Sequence, residues 1–114
     1  MEVDGAAVRT VRSYGGLEGS ALTQMKNPRG LAVDGEGHVL VADSDNNRLL
    51  VMDQSLSSAR EMYVNVAGGL KGPRCLWYDQ SRKRLYIGEG HQRRVIVIDH
   101  LKDFAASQVK SCMA

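Results

Sequence analysis

Short apolar runs separated by polar turns recur along the chain, and their lengths predict β-strands. The runs are rich in Val, Ile, Leu and Tyr, and Gly, Asn, Asp and Ser bound them. No stretch places apolar residues at helical spacing over three turns. We therefore predict an all-β fold. The expected strands are residues 31–33, 39–42, 48–52 and about 60–66, then 75–78, 84–88, 94–98 and one within 107–112, with an upstream strand at residues 7–14.

The strand pattern repeats once along the chain. Residues 27–34 are echoed by residues 72–79, and the prolines Pro28 and Pro73 lie 45 residues apart. The apolar runs that follow keep the same order in both copies, apart from one residue inserted in the second copy within residues 80–83. A repeat of this length is typical of four-stranded propeller blades.

The second and third predicted strands of each copy are apolar at nearly every position. This pattern is typical of strands whose two faces are both buried. A blade placed between two other blades meets that condition. Because only two copies are present, we expect an apolar flank to remain open on at least one of them.

The first copy resembles the NHL repeat, the blade unit of a propeller found at the C-terminus of some tripartite-motif ubiquitin ligases. The resemblance is carried by the segments PRGLAVD, GHVLVAD and NNRLLV, at residues 28–34, 37–43 and 46–51. The second copy departs from the pattern, with Cys75 in place of Gly, Glu89 in place of Asp and Arg93 in place of Asn.

The resemblance implies an incomplete propeller of six-bladed type over residues 1–114. Two four-stranded antiparallel blades are expected at residues 27–66 and 72–112, and residues 7–14 are expected to form the outer strand of a preceding blade. The remaining blades would belong to a longer chain.

The same resemblance implies a non-catalytic, cytoplasmic binding module that recognises a protein or, less favoured, RNA. In a tripartite-motif ligase it would help to select the substrate. No catalytic residue, metal, cofactor or membrane partner is expected. The alternative is a fragment of a six-bladed propeller hydrolase or lyase.

The distribution of charge is informative at one end of the predicted blades and not over the chain as a whole. The chain has 43% hydrophobic and 25% charged residues and a formal net charge of +2, which excludes a disordered tail and a uniformly polybasic nucleic-acid binder. The blade topology nevertheless collects five basic residues at one end, in the predicted loops, against one unpaired acid, Asp45. We expect a binding face there or, equally, charges that only keep the loops soluble. The five residues are Lys26, Arg29, Lys71, Arg74 and Arg93.

An acid and an arginine five residues apart flank the same turn in both copies. These pairs are Asp43 with Arg48 and Glu89 with Arg94. We predict that each pair forms an exposed ion pair across its hairpin, contributing only about 0.2–1 kcal/mol.

The sequence gives little support for a metal site, a catalytic histidine or a disulfide. Residues 43–47 open like a calcium loop but lack the later Gly and acid, which favours a polar turn. His38, His91 and His100 share no ligand spacing and are expected at the surface. Cys75 and Cys112 are expected to be reduced thiols, with a single bridge left open as an alternative.

Overall fold

The chain forms two antiparallel meanders in the computed structural model, which describes residues 13–105. The four strands of the first sheet are β1 (Pro28–Val33), β2 (Val39–Asp43), β3 (Arg48–Met52) and β4 (Ala59–Met62). The three strands of the second sheet are β5 (Pro73–Asp79), β6 (Arg84–Glu89) and β7 (Arg94–Ile98). Hydrogen-bonded neighbours follow chain order in both sheets, so the all-β prediction is confirmed.

Strand bounds differ from the predicted ones mainly at the first and fourth strands. Strands β1 and β5 begin at Pro28 and Pro73, earlier than predicted. Proline is accepted as the first residue of a strand, where its missing N–H costs no ladder hydrogen bond. Strand β4 ends at Met62, so its predicted extension to residue 66 was wrong.

Two of the predicted strands fall largely outside the described residues. The predicted strand at residues 107–112 lies wholly outside them. Only Ser13 and Tyr14 of the predicted strand at residues 7–14 are described, and neither belongs to a strand. The second sheet therefore has three strands within the described part of the chain.

The two sheets pack face to face as neighbouring blades, with β1 and β2 against β5. We call the side of the first sheet that faces the second sheet its forward face, and the equivalent side of the second sheet, which points away from the first, is its forward face too. The opposite side of each sheet is its rear face. The forward face of the first blade is buried in the core between the blades. Its buried residues are Ala32, Leu40, Ala42, Leu49, Val51 and Met62, and the half-buried Gly30 lies on the same face.

The rear face of the second blade forms the other half of this core, and Leu101 and Phe104 cover its edge. The residues of this rear face are Leu76, Tyr78, Leu85, Ile87, Ile96 and Ile98. The sequence thus forms one apolar core between two blades.

The two remaining faces are open to different degrees. On the forward face of the second blade Trp77, Val95 and Val97 are exposed. On the rear face of the first blade, Leu31 and Val33 are exposed, although Tyr14 and Met25 cover the neighbouring strands. The expected apolar flank is therefore present. The prediction that the second and third strands of each blade are buried on both faces holds for β2 and β3. It was wrong for β6, which alternates between half-buried and buried residues, and for β7, which alternates between half-buried and exposed residues.

Candidate binding cleft at one end of the blades

A β-bulge positions Arg29 at the start of the first blade. Pro28 pairs with Asp43 across the β1–β2 ladder, and Gly30 pairs with Ala42, so Arg29 is an extra residue opposite no partner. Bulges re-aim a side chain and often lie beside functional sites.

The second blade repeats this bulge at Arg74. Pro73 pairs with Glu89 and Cys75 pairs with Gly88, which leaves Arg74 unmatched. Arg29 and Arg74 were predicted to project from loops. This was wrong, because both lie within strands and the bulge supplies the bend that the prediction assigned to a loop.

The two bulges are in direct contact between the blades. A Cβ built on Gly30 would lie 2.5 Å from the carbonyl oxygen of Arg74, closer than real Cβ atoms approach backbone. Glycine is therefore required here by the close approach of two strands. The contact brings the two bulge arginines to the same end of the molecule.

Three arginines converge on a cleft of about 600 Å³ at this end, which we call the arginine cleft. Arg29 and Arg74 enter from the bulges, and Arg93 enters from the turn between β6 and β7, where its φ is 52°. None of the three forms an ion pair with an acid among residues 13–105. Arg94 and Glu89 also line the cleft but neutralise each other. The site thus carries three uncompensated positive charges.

The two predicted lysines lie outside the arginine cleft. The backbone N–H of Lys26 donates to Asp43 Oδ1 at 2.7 Å, and that of Lys71 donates to Glu89 Oε2 at 2.8 Å. Both lysines are exposed, and Lys26 lines a separate cleft together with Asp45. The structure therefore brings together three of the five residues predicted for the binding face.

The pair of Asp43 and Arg48 is buried, so its predicted exposure was wrong. Arg48 Nε lies 2.9 Å from Asp43 Oδ2, and both side chains are excluded from solvent. The two terminal nitrogens of Arg48 donate to the carbonyl oxygens of Ser20, Ala21 and Gln24 at 2.7–2.9 Å. The pair is buried because the connection that precedes β1 folds over it and accepts the hydrogen bonds of the remaining Arg48 donors.

The pair of Glu89 and Arg94 repeats this arrangement. Arg94 donates to Glu89 through Nε and Nη2 and also reaches the carbonyl oxygens of Ala67 and Gly69. Burial would raise the pKa of Glu89, but the hydrogen bonds from Arg94 and the Lys71 backbone outweigh it and hold the pKa below its usual value. In both blades the acid and the arginine together fasten the connection that precedes the blade.

Asn47 links the blades and was missed by sequence reasoning. Its Oδ1 accepts a 2.8 Å hydrogen bond from the backbone N–H of Gly72. The residue has a left-handed backbone after the short 3-10 turn Ser44–Asn46, as the predicted polar turn requires. Asn tolerates that conformation, so an Asn at the end of the polar turn was the sequence signal from which its position could have been predicted.

Asp34, His38 and Asp103 form the one group of potential metal ligands found in the described part of the chain, with ligand atoms within 4.8 Å of one another. Protein donors already occupy Asp34. Its Oδ1 accepts the N–H groups of Glu36 and His38, and its Oδ2 accepts that of Phe104 and lies 2.8 Å from His38 Nδ1. This pattern is typical of a structural clasp. His38 is half-buried within it, so the prediction of a surface histidine was wrong.

Hydrogen bonding also governs the charge of Asp34. Burial would raise the pKa of its carboxyl group, but the hydrogen bonds from Phe104, His38 and Glu36 together hold the pKa below its usual value. Asp34 is therefore stabilised as a carboxylate.

Comparison with known families gives one match. The family model of the NHL repeat matches residues 25–52, the segment that contains β1, β2 and β3. The chain contains an NHL repeat. NHL repeats are generally non-catalytic binding modules, and the two antiparallel sheets agree with propeller blades. No curated protein matched the chain. Among residues 13–105, no helix is long and apolar enough to cross a membrane.

Proposed function

We propose that this NHL-repeat chain is a non-catalytic binding module that recognises an acidic segment of a protein through the arginine cleft. The observation that supports it is the convergence of Arg29, Arg74 and Arg93 on one cleft without acidic partners in the described residues. Each guanidinium can bind a carboxylate through two parallel hydrogen bonds, which favours Asp and Glu side chains as ligands.

The lining of the cleft favours a protein over RNA. Single-stranded RNA is recognised largely by stacking its bases on aromatic side chains. No Trp, Tyr or Phe is among the residues that line the arginine cleft. Arginine planes can also stack on bases, so RNA is the competing ligand in the test.

The family suggests the biological setting of the proposed activity. In a cytoplasmic ligase of the tripartite-motif type, the cleft would hold the protein to be ubiquitinated, and the remaining blades would come from the same longer chain. A propeller hydrolase or lyase is less favoured, because protein donors already occupy both oxygens of Asp34 in the one potential metal-ligand group of the described residues.

Fluorescence anisotropy with a labelled oligoglutamate peptide and a labelled single-stranded RNA tests the proposal. The peptide should bind, and Arg29→Glu, Arg74→Glu and Arg93→Glu should each weaken binding about tenfold or more, or roughly 1.4 kcal/mol. Arg60→Glu, at the exposed position of strand β4, is the matched control and should leave the binding of the peptide unchanged.

Two results would contradict the proposal. One is binding of the peptide that the three cleft variants leave unchanged. The other is preferred binding of RNA with an affinity that falls steeply with salt, by a slope of about −0.7 for each phosphate contacted, which would assign the cleft to RNA.

A further inference from the structure

The side chain of Arg74 lies over Gly90, at the start of the turn between β6 and β7. A Cβ built on Gly90 would lie 2.3 Å from Arg74 Cδ and 3.1 Å from Arg74 Nη1. Gly90 follows Glu89, the last residue of β6, and its φ is negative. Glycine is therefore required at this position by the room that Arg74 occupies and not by the backbone conformation.

This contact brings Arg74 to the turn that carries Arg93. Arg93 follows Gly90 within the same turn and lines the same cleft as Arg74. Arg29 reaches the cleft from the other blade, because Gly30 beside it packs against the backbone carbonyl of Arg74. Two close contacts at glycine residues thus bring the three arginines to one cleft.

The exposure of these arginines does not depend on what covers the second blade. Inside the chain the second blade packs on the forward face of the first, so the first blade shows which positions stay open beside a covered face. The repeat equivalents of Arg74 and Arg93 in the first blade are Arg29 and Asn47, and both are exposed. A further blade packed in the same way would therefore leave positions 74 and 93 open to a ligand.

The acidic side chain at the cleft is already bound within the protein. Glu89 is the one acid among the residues that line the arginine cleft, and it accepts hydrogen bonds from Arg94 and from the backbone N–H of Lys71. The three arginines of the cleft form no ion pair within residues 13–105. A ligand that brings negative charge relieves the repulsion among them.

The convergence of three guanidinium groups favours a phosphate monoester over a carboxylate. A carboxylate has two oxygens and one negative charge, and a single guanidinium fork can bind both oxygens. A phosphorylated serine or threonine has three acceptor oxygens and a charge of about −1.5 to −2 at pH 7. Three arginines at one cleft match these oxygens and this charge, whereas a run of carboxylates is better matched by basic residues spread along a surface.

We infer that the arginine cleft binds a phosphorylated serine or threonine within the acidic protein segment, and that Gly90 is a positioning residue for Arg74. This assignment rests on the proposed function, since the cleft and the class of partner are the same. A planar guanidinium fork binds phosphate through two parallel hydrogen bonds. Binding therefore depends on where the Arg74 fork lies and not only on its charge.

Fluorescence anisotropy with two labelled peptides that differ only in phosphorylation tests the ligand. Each peptide has one serine between pairs of glutamates, and in one peptide the serine is phosphorylated. The whole chain should bind the phosphorylated peptide about tenfold or more tightly than the other. Equal affinities would overturn the phosphate assignment and leave the proposed function standing, whereas binding of neither peptide would overturn both.

Gly90→Ala tests the position of the Arg74 guanidinium without changing any charge. The added methyl group must displace the Arg74 side chain, so the variant should lose the preference for the phosphorylated peptide. Gly35→Ala is the matched control at the other end of β1, since its Cβ would displace only the side-chain amide of Gln80, 2.6 Å away. A Gly90→Ala variant that keeps the wild-type preference would overturn the positioning role.

Arg74→Lys tests the same point independently of any effect of Gly90→Ala on folding. Lysine keeps the positive charge but lacks the fork, so the preference for the phosphorylated peptide should fall about tenfold. An unchanged preference would show that the cleft responds to charge alone and would overturn the assignment. So would single-stranded RNA that displaces the labelled phosphopeptide at a lower concentration than the unlabelled phosphopeptide does, because the site would then bind nucleic acid.

Discussion

The backbone N–H of Phe104 donates a 2.8 Å hydrogen bond to Oδ2 of Asp34, although 70 positions separate the two residues. Phe104 is fully buried and its ring meets Tyr78 edge to face. Asp34 follows β1 directly, in the turn that leads to β2. The bond therefore fastens the segment after the second blade to the first blade.

Replacing this carboxylate should loosen the blade pair. Asp34→Asn leaves an amide nitrogen facing N–H donors, so at least one buried donor loses its acceptor. We expect the free energy of unfolding to fall by about 1–3 kcal/mol, measured by urea denaturation. Asp45→Asn, at an exposed turn residue, is the matched control. Equal losses of unfolding free energy in the two variants would contradict the role of Asp34 as a structural clasp.

Stability should fall in acid because of Asp34 and Glu89. The pKa of each carboxyl is held below its usual value in the folded chain. Each contributes stability that is fully present above its unfolded pKa, about 4, and is lost as the pH falls through the lower folded pKa. Melting temperature measured against pH should therefore drop below about pH 4. The acid slope should be shallower in Asp34→Asn, and an unchanged slope would exclude Asp34 as a contributor.

The buried arginine of the first blade should not tolerate lysine. Arg48 binds Asp43 and three backbone carbonyl groups at once, and a single ammonium group cannot reproduce that fork. Arg48→Lys should lower the free energy of unfolding by about 1–3 kcal/mol in urea denaturation. Arg84→Lys, whose partner Asp99 is exposed, should show no measurable change. An Arg48→Lys variant with an unchanged free energy of unfolding would contradict the role of Arg48 in anchoring the preceding connection.

Position 30 should not tolerate even the methyl side chain of alanine. The added Cβ would meet the Arg74 carbonyl of the second blade at 2.5 Å, so Gly30→Ala must push the blades apart at the bulges. We expect a loss of about 1–3 kcal/mol in thermal or urea unfolding. Gly88→Ala is the control, since its Cβ would make ordinary contact with Cys75 at 3.5 Å. Similar losses in both variants would show that the cost is not the interblade contact.

The all-β class, the repeat and most strand bounds could be predicted from the amino-acid sequence. Residues 48–52 and 94–98 were predicted as strands and are β3 and β7 without change. Such elements are readable because alternation, turn residues and apolar runs act within a few positions of one another. The resemblance to the NHL repeat, confirmed at residues 25–52, depends on the same local signals.

The remaining features depend on contacts between the blades, which the sequence pattern did not predict. Three of the five predicted basic residues share a cleft, because two bulges and one turn aim Arg29, Arg74 and Arg93 to one place. The bond from Phe104 to Asp34 and the exposure of Trp77 likewise depend on how one blade lies against another. Contacts between blades join residues far apart in the chain, and the local periodicity that specifies a strand carries no information about which distant group its side chains will meet.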